Sequence, residues 1–330
     1  MQQFTGTEYI NIDIANQYGF DKLTWSKRLE WSSTQSCIDL YEQSDDAKEP
    51  VLFRKAVRAR MSAESKIPTG FIMGLDATAS GLQIMACLSG CEATAAAVNL
   101  INSGTREDVY QAVADIMSNA SEEEYSKEIV KPPVMTTFYG SKNQPKQVFG
   151  VDTPALELFY EVIGYLLPGA LECMEDMQGC WDPEAYRHSW TLPDGHRAVV
   201  PVMQRVDKKI EIDELDHATF THRMYINEPS PTGLSLAANI VHSIDGYVVR
   251  EQIRKAHIAG FALLSIHDSF WASPNYMNQV RQNYLDTLIE IAQSNLLQDI
   301  LREICEPNLI HKKMSHTLPE QMISAEYALS

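Results

Sequence analysis

The sequence predicts an α+β fold in which a few short strands with polar tips are buried among many helices. Three observations point there. The apolar run 261–266 leads straight into His267 and Asp268, continues as Ser269-Phe270-Trp271 and stops at Pro274, which reads as two short strands around a polar tip. The stretch "IPTGFIMGLD", 67–76, has a Pro-Thr-Gly turn and then a short apolar strand ending on Asp76. Most of the remaining chain keeps helical spacing.

Taken in order, residues 1–66 read as mostly helical, with Leu23, Trp25, Leu29 and Ile38 at roughly helical spacing. The Ala-rich stretch 77–104 reads as a helix with Ser80 as its N-cap. "TREDVYQAVADIMSNAS" reads as a helix opening at Thr105. In "SKEIVKPPVMTTFYGSK", Lys127, Lys131 and Tyr139 fall at i, i+4 and i+12 and share one helix face. Pro132-Pro133 predicts that this helix begins near Lys131, or kinks there with Lys127 on a preceding turn. "LELFYEVIGYLLPGALECMEDMQG" is a helix pair broken at Pro168-Gly169. Residues 186–226 change to alternation, with a Pro-Asp-Gly turn between strand-like runs. Residues 230–260 return to helix, and the last 55 residues are helical with a short irregular tail.

The chain of 330 residues, 45% hydrophobic, has room for a sizeable core in one large domain or two smaller ones. It has no apolar run of about 18 residues, so no membrane span is expected. Asn11 and Asp13 interrupt the start, which does not read as a signal peptide. The six cysteines lack CxxC spacing, and Cys87 and Cys91, four apart on a predicted helix, suit packing better than zinc. Free thiols in a reducing cytosol are expected. The net charge of −17 repels nucleic acid at long range, so a polyanion-binding role needs a local cluster of Lys and Arg or a basic partner.

The tip at Asp268 fits a plain turn as well as a metal site, because Asp bonds its own backbone in turns. A metal site needs a second carboxylate, and Asp76 is the other aspartate at a strand end. The small residues that follow it, Ala77 to Gly81, would let a bulky ligand approach the backbone. On adjacent strands the two aspartates could hold paired Mg²⁺ ions, about 3.5–4 Å apart, of the kind that serve phosphoryl transfer. Mg²⁺ is commonly bound by one or two carboxylates plus substrate phosphates. Lys127 and Lys131 would supply cations for a triphosphate, although each alone fits a solvated lysine.

Four motifs stand in order: Asp76-x-x-x-Ser80-Gly81-x-Gln83; Lys127-x-x-x-Lys131-x-x-x-Met135-Thr136-x-x-Tyr139-Gly140; His242-Ser243-x-Asp245-Gly246; and His267-Asp268-Ser269-Phe270. The set resembles the single-subunit RNA polymerases of bacteriophages and mitochondria. "YGFDKLTWSKRLEW" and the terminal "EYALS" are similar to that family too. His-Asp-Ser, rather than His-Asp-Glu, favours the RNA branch over the related DNA polymerases.

The resemblance implies a right-hand polymerase palm, a small antiparallel sheet, with mostly helical fingers and without a thumb or N-terminal domain. Residues 1–66 would be a helical palm-insertion-like segment and 67–92 palm with the first metal motif. Residues 93–242 would be fingers, including a β-hairpin region at 186–226, and 243–330 palm with the second metal motif and a C-terminal foot. Asp76 and Asp268, with the carbonyl of Ala77, would bind two Mg²⁺ ions. Lys131 and Lys127 would hold the incoming triphosphate; the family usually has Arg where Lys127 stands, and Lys keeps the charge without the bidentate fork. Tyr139 would sit by the ribose, with His242 near the 2′-hydroxyl. Tyr110 and Lys22 match a tyrosine near the nucleotide and a lysine near the phosphates. Gly140 would admit the template, Ser80 and Gln83 would lie on the template and primer side, and His267 would brace the metal strand or touch the primer end. Taken singly, Tyr110 fits a core tyrosine, His242 a helix histidine, Ser80 a cap and Gln83 a backbone contact; Trp271 suggests packing only.

The function implied is that of the catalytic subunit of a two-subunit phage RNA polymerase, adding NTPs to RNA on a DNA template in the cytoplasm of an infected bacterium. Its partner subunit would carry the thumb and N-terminal palm parts and supply basic surface. A single-stranded-DNA-binding accessory protein would serve promoters, because the stretch 194–226 is acidic where the family reads promoters. The alternatives are a primase or DNA-synthesising relative, or a non-catalytic scaffold with relic motifs.

Overall fold

Two strand-end aspartates can meet only if their strands pair, and they do. In the structure, a computed structural model, residues 1–233, 235–305 and 308–330 are described; Leu234, within the predicted helical stretch, and residues 306–307 lie outside them. Seven strands occur among the described residues: β1 Met73–Asp76, β2 Arg187–Thr191, β3 Arg197–Pro201, β4 Met203–Ile212, β5 Ala218–Asn227, β6 Leu264–Ile266 and β7 Ser269–Ala272. They form an antiparallel three-stranded sheet of order β1-β7-β6 and two hairpins, β2-β3 and β4-β5. The fold is α+β, as the sequence predicts.

Register gives the small sheet two unlike faces. Met73, Leu75, Phe270 and Ala272 are buried in the core. The other face carries Gly74, Asp76, Ser269, Trp271, Leu264 and Ile266. Trp271 stands opposite Gly74, and a Cβ at that glycine would lie 2.4 Å from the indole ring. The glycine is what lets the ring lie across β1, and Trp271 Nε1 donates to Ser269 Oγ at 2.8 Å.

Behind the sheet, helix Ser80–Ser89 is buried from Leu82 to Ser89 and packs against helices Met277–Gln293, Pro168–Gly179 and Ser235–Ile258. A helix apolar all round belongs in a core. The C-terminal tail lies along the end of β1: Thr78 N donates to Ala328 O at 3.3 Å, and Ser330 N to Asp76 O at 2.9 Å. Buried Arg281 ties the start of the chain to the same tail, donating to the carbonyls of Gln2 and Glu326 at 2.9 and 3.0 Å.

Several boundaries differ from the sequence reading. The Ala-rich stretch is two helices, Ser80–Ser89 and Glu92–Ala97, because Gly90 takes a left-handed φ of 67° and ends the first. Ser80 is its first residue rather than its N-cap, which is Ala79. Cys91 caps the second helix, its sulfur accepting from Thr94 N. The helix expected from Thr105 runs from Val109 to Ala120 behind an Asp108 cap, since Thr105 and Glu107 are engaged by Ser103 in the preceding loop. The Lys127 helix spans Lys127–Thr137 with both prolines inside it, so it does not begin at Lys131 and Lys127 is its first residue. Val130, Pro133 and Val134 are buried, and this apolar face packs on helix Val109–Ala120, which offsets the donors that proline lacks. Tyr139 lies just past the end of that helix, its N–H donating to Thr136 O at 3.2 Å.

Candidate active site

The β6–β7 hairpin turns over two residues, His267 and Asp268, because Ile266 pairs with Ser269. His267 pays for that turn with a φ of 54°, a conformation that non-glycine residues rarely take and that collects at functional sites. Asp76 pairs with Ser269, and Ala77 N donates to the Asp268 carbonyl at 3.1 Å. The two aspartates are therefore near neighbours at one end of one sheet.

Two clefts meet there. The larger, 430 Å³, is lined by Lys22, Asp76, Arg106, Asp108 and Lys127 among others. The smaller, 210 Å³, is lined by Ser80, Gly81, Met135, Tyr139 and Asp268 among others. Ala77, Thr78, Tyr110 and Lys131 line both. Lys131 Nζ is 5.5 Å from the centroid of the Tyr110 ring, so the tyrosine face holds an ammonium at the junction. Lys127 pairs with Asp108 inside the larger cleft. Burial opposes ionisation of Asp108, yet the bond and charge of Lys127, the Gln111 N–H and the charge of Lys22 together outweigh it and hold the carboxyl below the usual range. Lys22 pairs with Asp21 at 2.8 Å, and burial followed by the nearby Arg106 lowers its pKa.

Tyr139 stacks at a tilt on exposed His242, ring centroids 4.9 Å apart. Its hydroxyl is close enough to Gly81 that a Cβ there would come within 2.9 Å. Burial, then Asp245, then Asp268, raise the Tyr139 pKa. Burial pushes Tyr110 up to about 12, with Tyr139, Asp108 and Asp268 adding to it. Both phenols stay protonated and can donate.

Asp76, Ala77, Asp268, Lys131, Lys127, Tyr110, Tyr139, Ser80 and Lys22 thus line this paired cleft, with His242 against Tyr139 and His267 at the turn beside Asp268. Two residues sit elsewhere. Gln83 is fully buried; its amide nitrogen has Thr78 Oγ1, Val98 O and Ala328 O each at 3.0 Å as acceptors for its two hydrogens, and its oxygen accepts from Tyr284 at 2.7 Å. With every site filled, it fixes the strand end and the tail rather than touching a template strand. Gly140 is buried with a φ of 87°, a left-handed end to the Lys127 helix, so its exposure to a template gives way to that turn.

Sequence reasoning passed over two residues. Asp245 stands three after His242 on the same helix face, a spacing visible in the motif. Burial and then Asp268 push its carboxyl up to about 6, against the Ser80 hydroxyl and His267, which lower it. Arg106 lines the larger cleft and donates from Nε to Ser330 Oγ at 2.9 Å. It read as part of a helix start, and nothing local showed that the tail would return to it.

The donor set fits magnesium: two carboxylates at one sheet end, beside cationic clefts and with backbone carbonyls at hand. Among the described residues, the group of three metal-ligand side chains within reach of one another is instead Glu211, Asp213 and His217, exposed at the tip of the β4–β5 hairpin.

The family model described as DNA-dependent RNA polymerase matches residues 3–148 and 184–327. The chloroplastic/mitochondrial DNA-directed RNA polymerase 2B of Nicotiana tabacum is 21% identical over 90% of this chain and 35% of its own length. The mitochondrial DNA-directed RNA polymerase of Homo sapiens is 26% identical over 90% of this chain and 28% of its own. A solved structure titled as the POL domain of Pol1 from M. smegmatis in complex with DNA primer-template and dNTP aligns with a TM-score of 0.41 at 14% identity, over 77% of this chain and 52% of that one. The chain spans about a third of the length of the curated relatives it matches.

Proposed function

The chain belongs to the DNA-dependent RNA polymerase family, and from that premise we propose that it is the catalytic part of a DNA-directed RNA polymerase, adding NTPs to an RNA 3′-end on a DNA template. The observation that carries this reading is the register that sets Asp76 and Asp268 at one sheet end, at the junction of the two clefts.

In the reaction, the RNA 3′-hydroxyl attacks the α-phosphorus of the NTP in line, and the bond to pyrophosphate breaks. Asp76 and Asp268, with the Ala77 carbonyl, would hold two magnesium ions, which when bound supply positive charge to the attacking and leaving oxygens. Lys131, held over Tyr110, and Lys127, released from Asp108, bind the phosphates and offset the charge that builds on the leaving group. Tyr139 donates toward the ribose and His242 fixes its ring. Tyr110 walls the site, and Lys22 extends the cationic lining.

We read the chain as working with a second, more basic polypeptide, as in a two-subunit phage polymerase in the cytoplasm of an infected bacterium, because a chain this acidic repels the nucleic acid it must hold. That partner would also offset the net charge of −17. The β4–β5 hairpin ends in Glu211, Asp213 and Glu214, poor groups for a DNA groove, so promoters would need an accessory single-stranded-DNA-binding protein.

Asp76→Asn and Asp268→Asn should each abolish Mg²⁺-dependent extension of an RNA primer on single-stranded DNA, with the partner polypeptide present and the circular dichroism spectrum unchanged. Extension at the wild-type rate by either variant refutes the assignment. Promoter-specific initiation on duplex DNA should be weak without the accessory protein; vigorous initiation would remove that requirement.

A further inference from the structure

Helix Pro50–Glu64 is out of keeping with so acidic a chain. Val51, Arg54, Lys55, Arg58 and Ser62 fall within a stripe about 100° wide. Opposite this stripe, Phe53, Ala56, Val57 and Arg60 are buried. The outer stripe borders a groove of 560 Å³ whose far wall is Thr69, Gly70 and Phe71. Lys55 Nζ is 5.2 Å from the Phe71 ring centroid and donates to Ile72 O at 3.4 Å. Arg58 donates to the Tyr41 hydroxyl at 2.9 Å and lies over that ring. Arg54 pairs with Asp45, whose side chain is 89% exposed, a pair that water already weakens.

One helix and one strand approach link the groove to the active-site cleft. Glu49 and Leu52, at the start of this helix, line the cleft, as does Lys48 just before it. Phe71 leads directly into β1, whose last residue is Asp76, about 16 Å away at the rise of an extended chain. From Lys48 at the cleft, the cations Arg54, Lys55 and Arg58 follow along this helix to the groove. Clustered Lys and Arg side chains are how proteins hold a nucleic-acid backbone without reading its sequence.

We propose that this groove binds the sugar-phosphate backbone of single-stranded nucleic acid a few nucleotides from the reaction centre, template DNA or product RNA. The inference rests on the polymerase reading for the identity of the strand, and on the groove alone for its chemistry. An acidic protein segment would find the same charges, but the helix that the groove shares with the Asp76 cleft favours nucleic acid.

The test compares the wild-type chain with the Arg54→Glu, Lys55→Glu, Arg58→Glu triple variant, and with Lys55→Gln, Arg58→Gln in case charge reversal impairs folding. Binding of labelled single-stranded DNA and RNA is read by fluorescence anisotropy across a salt series, without nucleotides. Strands of about four and about twelve nucleotides bracket the site sizes of single-strand grooves. The triple variant should bind the longer strand at least tenfold more weakly, and the slope of log K against log salt should lose about 2 in magnitude, the share of three phosphate contacts. The four-nucleotide strand should bind as before. A loss common to DNA and RNA supports a shared backbone site, and a loss confined to one assigns the groove to that strand. Unchanged affinity and slope for both strands overturns the proposal, as does a loss seen only with a poly-glutamate peptide. Groove binding without any primer extension would leave this proposal standing and sink the polymerase reading.

Discussion

Gly81 and Tyr139 show how tightly single residues set this site. No Cβ fits between Gly81 and the phenol oxygen without displacement, since the gap would be 2.9 Å. Gly81→Ala should push the Tyr139 hydroxyl out of place while leaving the two aspartates alone. The expected result is a fall of about tenfold or more in the preference for NTP over dNTP, the kind of discrimination a placed hydrogen bond gives. Competition assays on one template measure it, and an unchanged preference would remove Tyr139 from sugar selection. At this scale the residues whose chemistry is local were legible: a carboxylate at a strand end announces itself, and Asp76 and Asp268 meet as expected. Residues whose role depends on distant chain were not. Gln83 looks like a surface contact until Val98, Ala328 and Tyr284 surround it, and Arg106 has no visible purpose until Ser330 reaches it.

Between elements, the pairing of β1 with β7 rests on the complement of Gly74 and Trp271. Trp271 suggested only packing in the sequence, and its packing partner is a glycine that looks dispensable in a strand. Gly74→Val should force the ring off the sheet and cost about 1–3 kcal/mol, as overpacking does. With Trp271→Ala in the background the obstruction is gone, so the same valine should cost less than half as much. Urea unfolding of the four proteins in a double-mutant cycle gives the coupling; additive effects would show that the ring moves freely. Element identity was well marked in the sequence, including the break at Pro168-Gly169 and the alternation at 186–226. Element ends were marked poorly. Gly90 and Asp108 set them by backbone conformation and capping, whereas Ser80 and Thr105 offered better-looking signals nearby. Pro132 and Pro133 argued for a break that tertiary packing overrides.

At the scale of the whole molecule, stability should fall from pH 5 to pH 8. Asp13 is buried beneath the N-terminal helices, bonded by Gln17 Nε2 at 2.9 Å, and burial raises its pKa to about 7. Asp245 is raised to about 6, first by burial and then by Asp268. A carboxyl with a raised folded pKa stabilises the fold most below its unfolded value, and that contribution drains away as pH rises through the folded value. Buried His188 works the other way, since burial lowers its pKa and its contribution is lost as pH falls. The carboxyls of Asp21, Asp108 and Asp194 are held low, so their stabilisation is fully present above pH 5 and does not change across the interval. Asp13 therefore dominates, with a loss on the order of 2–3 kcal/mol across the interval. Asp13→Asn should flatten the curve and leave the variant more stable than wild type at pH 8, where it removes a buried charge, and level with it near pH 5. Thermal unfolding at three pH values decides this; a wild-type curve that is flat from pH 5 to 8, or a variant with the same slope, would place the Asp13 carboxyl in contact with water.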